Sequence, residues 1–507
     1  MAGRVQRLLR RAWFPLLPRV LALLGFLPLL ALLTRQSVSV FGISITDSIP
    51  LLIVWTLWWP LLYLLLIPAG RAWCGFLCPV GLANEAGNEL RSGKALRIAR
   101  WSFLAYVVFF AAVILEQVTG LFLSPKLTLL LLGGALLLAL AMGALWSRWS
   151  FCRLICPVGT LFGVFSRLSA AGIRTERALC AACRTKECLT GVPAGPCPAY
   201  NHVPTLDSNK ECLLCARCVK NCPHGSAQLR LLLPGQEILD RGSMTLAESL
   251  FIIGLLGMAL ILTTSGTLSL RGLVPLGIRG PGLRALDFLL GLSLFLLAFL
   301  ALSALSSRLS MRPLREHLTT FGYIHLPLVF LILTFSVVFG FLAPWLPLGE
   351  GVISATKYLL VIAGLVWGLA LLAKLGRSAA ERIPHGAALL AVSALWVLLL
   401  IPGPLAARPV PQVFVAQPGQ PVRISAFSMG FDPAVIEVRK DEPVMLEIAN
   451  MDIAHAFDID ELGVHSVVLG GKDAHLTFTP RVAGNFTMHC SIPGHAEAGM
   501  RGTLVVR

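Results

Sequence analysis

Apolar residues form most of the chain up to about residue 403, in long runs separated by short polar segments. Several runs reach about 20 residues, the length that a helix needs to cross the hydrocarbon of a bilayer. The pattern predicts nine membrane-spanning helices, at residues 14–33, 49–69, 101–124, 127–147, 246–265, 287–306, 319–345, 356–374 and 386–403. The polar segment between the fourth and fifth of these helices is much longer than a simple loop.

The distribution of positive charge predicts how these helices are oriented. Lys and Arg collect on the cytoplasmic side of membrane proteins, and four arginines lie within the first eleven residues. The first apolar run is long and has no small-residue cleavage site, so it is a retained helix rather than a signal peptide. The N-terminus and segment 148–245 are then cytoplasmic, and an odd number of spans places residues 404–507 outside. The arginines of the outside loop 266–286 fit this orientation less well.

The pattern changes after Pro402-Gly403-Pro404, where short segments of alternating apolar and polar residues replace the long runs. Alternation with period two, bounded by Pro, Gly and Asp, is typical of β-strands. It predicts strands at Val410–Val415, Val422–Ala426, Val435–Val438, Val444–Ile448 and Thr503–Val506. We therefore expect an antiparallel β-sandwich over about 100 residues, close to the size of other small sandwiches.

The predicted fold class is a multi-domain membrane protein with about nine transmembrane α-helices, a small α+β insert and an all-β C-terminal domain. The expected domains are residues 1–165 with four helices, 170–235 as the insert, 245–403 with five helices, and 408–507 as the sandwich. The composition agrees, since 56% of the 507 residues are hydrophobic and only 13% are charged. The net charge of +16 is explained by cytoplasmic loops, and no nucleic-acid partner is expected.

Eight of the thirteen cysteines lie between Cys180 and Pro223. The second half of this segment has the spacing of the bacterial ferredoxin motif, in which three cysteines bind one [4Fe–4S] cluster and a fourth, before Pro, binds another. This crossed arrangement predicts two sets of ligands. One set is Cys180, Cys183, Cys188 and Cys222, and the other is Cys212, Cys215, Cys218 and Cys197. A zinc ribbon is the alternative, but eight thiolates and two Cys-Pro endings favour two iron–sulfur clusters.

A second cysteine pattern is an internal repeat. Trp73-Cys74-Gly75-Phe76-Leu77-Cys78-Pro79-Val80-Gly81 recurs 78 residues later as Phe151-Cys152-Arg153-Leu154-Ile155-Cys156-Pro157-Val158-Gly159. Residues four apart on a helix lie on one face, so we expect each pair to present its two sulfurs together. The two pairs could supply four thiolates to one metal or cluster, or they could be small residues that pack a helix end.

The last segment of the predicted sandwich contains a third candidate site. Cys490, His495 and Met500 lie on one loop, and His455 is offered by a distant strand end. Two His, one Cys and a weak axial Met form a blue-copper centre. A dinuclear site would need a second thiolate where Gly494 stands, so one copper ion is predicted. The other histidines of this domain are expected at the surface or in packing, and a single Cys argues against an immunoglobulin-like module.

Ionisable residues inside the predicted spans are few. Glu116 and His325 lie within them, and such residues are functional candidates by default. His317 and His385 are expected in cytoplasmic loops. None of these residues has an assigned role.

The paired Cys-x3-Cys-Pro motifs, followed by the ferredoxin-type segment, resemble the NapH/NosR-type membrane polyferredoxins, a group that includes the CcoG-like proteins. The resemblance covers about residues 14–240 and is followed by a domain that looks like a cupredoxin. It implies electron transfer between a quinol pool or a cytoplasmic donor and extracytoplasmic metalloenzymes. CcoG-like members are implied to reduce copper during oxidase assembly. The chain differs from the NosR kind in having no N-terminal flavin-bearing domain.

These features together predict a transmembrane electron-transfer protein. Electrons would pass between the cytoplasmic clusters and the extracytoplasmic copper. The protein would serve a respiratory or denitrification copper enzyme. Because about 30 Å of hydrocarbon separates the two sides, a quinone or another bound cofactor would have to relay them. The first alternative is a copper reductase or assembly factor that passes copper to an acceptor. A membrane-bound redox sensor is a weaker alternative, since no DNA-binding or kinase motif accompanies the clusters.

Overall fold

The structure is a computed structural model of the 507-residue chain. It describes all residues except 1–6, 12, 35–36, 41–42, 47–51, 92–101, 120, 122–124, 147, 241–242, 265–280, 343–349, 401–412, 418, 428–429, 451–454, 469–472 and 492–499.

Helices form most of the chain up to residue 400, as the long apolar runs predict. The first group contains α1 (Leu16–Leu32), α2 (Trp59–Ala69, preceded by a π-helical turn at Leu52–Trp58), α3 (Ala72–Phe76), α4 (Pro79–Arg91), α5 (Ser102–Thr119), α6 (Pro125–Leu145), α7 (Ser150–Leu154) and α8 (Pro157–Phe165). The second group contains α12 (Leu246–Thr264), α13 (Pro281–Ser310), α14 (Leu314–Phe321), α15 (Leu326–Leu342), α16 (Glu350–Leu375) and α17 (Ala379–Leu400). Between the groups lie the short helices α9 (Arg177–Ala182), α10 (Glu187–Thr190) and α11 (Arg217–Asn221). After α1, strands β1 (Ser37–Val40) and β2 (Ile43–Thr46) pair antiparallel.

Four segments of the described chain are long and apolar enough to cross a membrane. They are Pro125–Leu145, Phe288–Ser310, Leu314–Val338 and Ala355–Leu375. Shorter apolar helices occupy Leu16–Leu32, Ile53–Ala69, Phe103–Glu116 and Leu246–Ala259. The four long segments support integration into a membrane, and the count of nine spans remains a prediction.

Two of the helices begin earlier than hydropathy alone indicates. The seventh predicted span starts with α14, which is joined to α15 by a 3₁₀ turn at Gly322–His325. The ninth starts at Ala379, so α17 includes His385. The expectation that His317 and His385 lie in loops is therefore wrong. The polar first turns of these helices lower the local hydropathy although the backbone is already helical.

The insert between the two helical groups has little regular structure. Its two strands, β3 (Ala171–Arg174) and β4 (Gln228–Leu231), pair antiparallel and bring the two ends of the insert together. The short helices and the cysteine-bearing loops lie between them. A small apolar core under these loops includes Ile173, Val203 and Val219.

The C-terminal domain is a sandwich of two sheets. Its strands are β5 (Val413–Val415), β6 (Val422–Phe427), β7 (Gly430–Asp432), β8 (Val435–Val438), β9 (Val444–Asn450), β10 (His455–Ile459), β11 (Val464–Val468), β12 (Asp473–Phe478), β13 (Gly484–His489) and β14 (Arg501–Val506). The order is β11-β10-β13-β14-β8-β5 in one sheet and β12-β9-β6-β7 in the other. Apolar side chains of alternating positions, such as Ile424, Ile436 and Leu446, fill the space between the sheets. Three strand pairs are parallel, so the sandwich is mixed rather than purely antiparallel as expected.

A buried network of ion pairs connects the insert with both helical groups. Arg167, which follows α8, donates to Glu248 of α12 at 2.7 and 3.0 Å and to Glu237 of the insert at 3.3 Å. Lys210 of the insert also contacts Glu248, at 2.7 Å. The Arg167 and Glu248 side chains are 1% and 0% exposed. Buried charges of this kind are tolerated only when each is paired.

Replacing Arg167 with Met is expected to destabilise the fold by about 3–5 kcal/mol, because Glu248 and Glu237 would stay buried without this partner. The measurement is unfolding of the purified protein in detergent. Arg177→Met is the matched control, since Arg177 pairs with Asp207 at 3.5 Å with both side chains exposed and such surface pairs contribute about 0–1 kcal/mol. Equal effects of the two substitutions would contradict the structural role of the network.

Candidate functional site

The first predicted cysteine set surrounds one cavity. Cys180, Cys183, Cys188 and Cys222 all line a space of about 320 Å³ that is open to solvent. Backbone N–H groups point at the sulfurs: Lys186 donates to Cys183 Sγ at 3.4 Å and Ser226 to Cys222 Sγ at 3.2 Å. Hydrogen bonds to sulfur are one of the means by which proteins tune cluster potentials. The cavity and its four sulfurs fit an iron–sulfur cluster.

The second set surrounds a separate cavity. Cys197, Cys212, Cys215 and Cys218 line a space of about 330 Å³, part of which is open solvent. This cavity is more enclosed by protein, since three of its cysteines are buried. The chain thus brings together the same two groups of four that the crossed spacing predicts. No group of three or more ligating side chains in the described part of the chain is arranged around a single ion. Which cofactor they bind remains a prediction.

The repeated Cys-x3-Cys pairs meet beside the insert. Cys74, Cys78, Cys152 and Cys156 lie close enough to influence one another electrostatically. The expectation that each pair shares one helix face is wrong. Cys74 lies in α3 and Cys152 in α7, whereas Cys78 and Cys156 follow the ends of these helices. Each of these two cysteines precedes a proline, which disfavours the helical conformation of the residue before it; Cys156 is extended, with ψ 110°.

The proline also explains how the second cysteine of each pair is held. Helix α8 begins at Pro157 with Cys156 as its N-cap, and the N–H of Gly159 donates to Cys156 Sγ at 3.3 Å. At the corresponding place in the first motif, the N–H groups of Val80 and Gly81 act to lower the pKa of Cys78. Each Cys-Pro-Val-Gly motif therefore directs the free amides of a helix start, and the positive end of its dipole, at a sulfur.

Arg71 supplies a positive charge to these four cysteines. Its side chain is buried, lies beside Cys74 and Cys152, and donates to the carbonyl of Lys210 at 2.6 Å. Burial acts to lower the pKa of Arg71, but negative charge at Cys74 and Glu211 outweighs it and raises the pKa above its ordinary value. No local pattern distinguishes Arg71 from the other arginines of its segment, because arginines are common in cytoplasmic loops.

Cys74, Cys78, Cys152 and Cys156 together form the four-cysteine site, and burial favours neutral thiols over thiolates at two of them. Burial raises the pKa of Cys78 to about 12 and that of Cys156 to about 11. Without a metal, the thiols of Cys78 and Cys156 are therefore protonated at neutral pH. A metal ion or cluster would replace these protons, as metal binding requires deprotonated thiols.

The four-cysteine site and the second cavity share a wall. A Cβ on Gly75, in the middle of α3, would lie 2.0 Å from the carbonyl oxygen of Leu213 and 3.0 Å from the backbone nitrogen of Cys215. The carbonyl of Gly75 also accepts a hydrogen bond from buried Arg19 at 2.8 Å. Glycine is therefore required here for the close approach of α3 to the loop that carries Cys215.

In the sandwich, strand register brings together three of the four predicted copper ligands. Asp458 of β10 lies opposite His489 of β13, which in turn lies opposite Arg501 of β14. Cys490 and Met500, the neighbours of these residues, therefore meet beside the first residues of β10. His455 is the first residue of β10, and all three predicted ligands are fully buried.

The backbone also orients the sulfur of Cys490. The N–H of Ala456 donates to Cys490 Sγ at 3.1 Å, and the N–H of Ser491 donates to the Asp458 carboxylate at 3.2 Å. A Cys, a His and a Met in one buried corner fit a copper ion of the blue type. The fourth predicted ligand, His495, lies outside the described residues.

Known protein families match both the cysteine-bearing helical part of the chain and its C-terminal sandwich. A family described as "4Fe-4S binding domain" matches residues 50–97 and 127–175, which include Cys74, Cys78, Cys152 and Cys156. A family described as "Cupredoxin-like domain" matches residues 389–506.

Similar proteins are known for each half of the chain. "Putative electron transport protein YccM" of Escherichia coli is 29% identical over 31% of this chain and 50% of its own length. "Ferredoxin-type protein NapH" of Escherichia coli is 26% identical over 30% and 59%. "Copper-resistant cuproprotein CopI" of Rubrivivax gelatinosus is 35% identical over 16% and 61%. The chain spans 50% to 61% of the length of these relatives.

These matches confirm the resemblance that the cysteine motifs indicate. The chain combines a 4Fe–4S binding domain with a C-terminal cupredoxin-like domain. More particularly, its cysteine-bearing half is similar to the ferredoxin-type protein NapH, and its C-terminal domain is similar to cupredoxins.

Gly75→Ala is expected to separate α3 from the Leu213–Cys215 loop, because the added methyl group would overlap backbone atoms. Overpacking of this kind costs about 1–3 kcal/mol. We expect a lower unfolding temperature and loss of metal from the adjoining cavity. Gly133→Ala is the control: Gly133 lies within α6 and a Cβ there would meet nothing within 4 Å, so stability should be unchanged or slightly higher. A Gly75→Ala protein with unchanged stability and metal content would disprove the close contact.

Proposed function

We propose that this chain carries electrons across a membrane, between two [4Fe–4S] clusters on the cytoplasmic side and one copper ion on the other side. The main support for this proposal is that two kinds of site occur in one chain. Two cavities are each lined by four cysteines, and a buried His, Cys and Met lie together in a cupredoxin-like domain. When bound, the clusters and the copper ion supply one-electron redox chemistry.

The residues proposed as cluster ligands are the two sets of four that line the cavities, with the crossed assignment given above. The backbone amides that donate to Cys183 and Cys222 would stabilise negative charge on the first set. For copper, His455, Cys490 and Met500 are the proposed ligands within the described residues, and His495 is proposed as the fourth. Cys490 is buried, so its sulfur is shielded from water. A copper site with this ligand set changes its geometry little between Cu(I) and Cu(II).

We further propose that Cys74, Cys78, Cys152 and Cys156 form a third metal site on the electron path. The match of the 4Fe–4S family to these two hairpins supports an iron–sulfur cluster there. Arg71 and the two helix starts would offset its negative charge. The shared wall at Gly75 would keep the path between this site and the Cys212–Cys218 cavity short.

The proposed orientation places the N-terminus and all cysteine sites before Cys490 in the cytoplasm. It rests on the positive charge of the cytoplasmic segments, together with the four long apolar helices. The donor would be a quinol or a cytoplasmic electron carrier, and the acceptor an extracytoplasmic redox enzyme. The printed names of YccM and NapH, an electron transport protein and a ferredoxin-type protein, support the electron-transfer role. A quinone is one candidate relay across the hydrocarbon.

Metal content of single variants tests these assignments. Cys180→Ser and Cys212→Ser should each lower bound iron by about four atoms per chain and remove one reduced-cluster EPR signal, while leaving the blue copper absorbance. Cys490→Ser should abolish the blue absorbance and leave the iron. His475→Gln, at an exposed position of β12, should change neither. Two clusters predict about eight iron atoms per wild-type chain and three clusters about twelve. Zinc in place of iron would refute the cluster assignment.

A second candidate function is copper reduction and delivery, supported by the similarity of the sandwich to a copper-resistance cuproprotein. In this case Cu(II) bound in the sandwich would accept one electron from the clusters and leave as Cu(I). An electron carrier should keep its copper through many turnovers, whereas a delivery protein should transfer it. The test mixes copper-loaded full-length protein with a copper-free acceptor and a Cu(I) chelator, before and after reduction. We expect retention; transfer that requires reduction would favour delivery instead.

A further inference from the structure

Three histidines of the second helical group lie together in its interior. His317 is in α14, His325 ends the 3₁₀ turn that follows it, and His385 is in α17. Their side chains are at most 3% exposed. The two helices that carry His317 and His385 are about 60 residues apart in the chain, so their meeting could not be inferred from local sequence.

These histidines have ring nitrogens with no hydrogen-bond partner. Nδ1 of His317, Nδ1 of His325 and both ring nitrogens of His385 are buried and unpartnered in the described part of the chain. A buried polar atom without a partner costs about 1–3 kcal/mol, so several in one place call for an explanation. An unseen metal ion or water is the usual one. Nε2 of His317 is anchored by Ser310 Oγ at 2.9 Å, which leaves its Nδ1 available.

The spacing of two of the rings fits a shared metal. The ring centres of His317 and His385 are 6.0 Å apart and their planes differ by 24°. An imidazole nitrogen binds a metal at about 2.0–2.1 Å and lies about 1 Å from the ring centre, so two rings on opposite sides of one metal have centres about 6 Å apart. Phe321 stacks on the face of His385 at 4.1 Å, which fixes this ring without occupying its nitrogens. Because no three donors among the described residues converge on one point, the site is an imidazole pair with His325 nearby.

The charged groups next to the pair balance one another. Glu381, one turn before His385, is paired with Arg312 at 3.2 Å. Glu316, beside His317, is paired with Arg312 at 3.3 Å and with Arg377 at 3.6 Å. The neighbouring carboxylates thus have partners of their own, and the neutral imidazoles remain the available ligands.

The turn that ends at His325 contacts the buried ion-pair network around Arg167. Tyr323, two residues before His325, accepts a hydrogen bond from the N–H of Thr245 at 3.0 Å. The guanidinium of Arg167 lies over the Tyr323 ring at 5.4 Å, and Arg167 and Lys210 share Glu248. Lys210 is two residues from Cys212. Contacts therefore run from Lys210, near the second cysteine cavity, to Tyr323 in the turn that ends at His325.

We propose that His317 and His385 bind a transition metal through their imidazole rings, either as haem iron or as a bare ion such as copper. Both sources share the same ligand chemistry, two neutral imidazoles in an apolar site. Metal binding by these two histidines does not depend on whether the cysteines hold clusters.

The test uses full-length protein that carries Cys490→Ser, so that copper of the sandwich does not contribute. Bound haem is measured as the pyridine haemochromogen, and bound metals by mass spectrometry after a chelator wash. We expect about one haem, or about one non-cluster metal ion, per chain. His385→Gln and His317→Gln should each lower this content about tenfold or more, the size of effect seen for weakened metal sites. His475→Gln, at an exposed position, should leave it unchanged.

The haem assay and the metal analysis together identify which form of the metal is bound. A Soret band that is lost in both variants assigns haem iron, whereas extra copper with no haem assigns a bare ion. The iron content of the cysteine sites reports whether each variant is folded, and restoration of the metal in His385→Gly by added imidazole would exclude a purely structural role. Absence of haem and of any metal beyond the cysteine sites, or equal content in folded His385→Gln protein, would overturn the proposal.

Discussion

The arrangement of this chain depends on the ion pair between Arg167 and Glu248. The two side chains are almost completely buried and come from different helical groups, and Lys210 and Glu237 of the insert contact the same pair. Because a buried charge without its partner is strongly unfavourable, the network holds the insert against both helical groups. The cysteine-bearing loops are fixed between β3, β4 and this network, so their position follows from it.

The proposed metal sites share a second feature, which is positive charge and backbone amides placed around sulfur. Arg71 lies beside the four-cysteine site, and the starts of α4 and α8 direct their amides at Cys78 and Cys156. In the sandwich, an amide of β10 donates to Cys490. These donors favour the charged form of a thiolate over the protonated form, which burial would otherwise favour. The same principle therefore operates at the helical and the β-sheet ends of the chain.

The sequence predicted best where chemistry restricts the spacing of residues. Each predicted cysteine set of the insert lines one cavity, as expected where ferredoxin-type spacing allows few other arrangements, and their role as cluster ligands stays a prediction. Alternation located five of the strands. Hydropathy misplaced His317 and His385, because it reports apolar surface and not where a helix begins. The assumption of one helix for Cys74 and Cys78 neglected Pro79. The meeting of α14 with α17, and the burial of Arg71, depend on tertiary packing that no local pattern encodes.

In the proposed function, electrons pass between the cysteine sites and the copper site within one chain. The most direct measurement places full-length protein in sealed vesicles with the sandwich inside and adds a reductant that cannot cross the membrane. We predict that the blue copper absorbance bleaches in the wild-type protein, and that Cys212→Ser, with its copper intact, bleaches much more slowly. Clusters that become reduced while the copper stays oxidised, or bleaching at the wild-type rate in Cys212→Ser, would contradict the account.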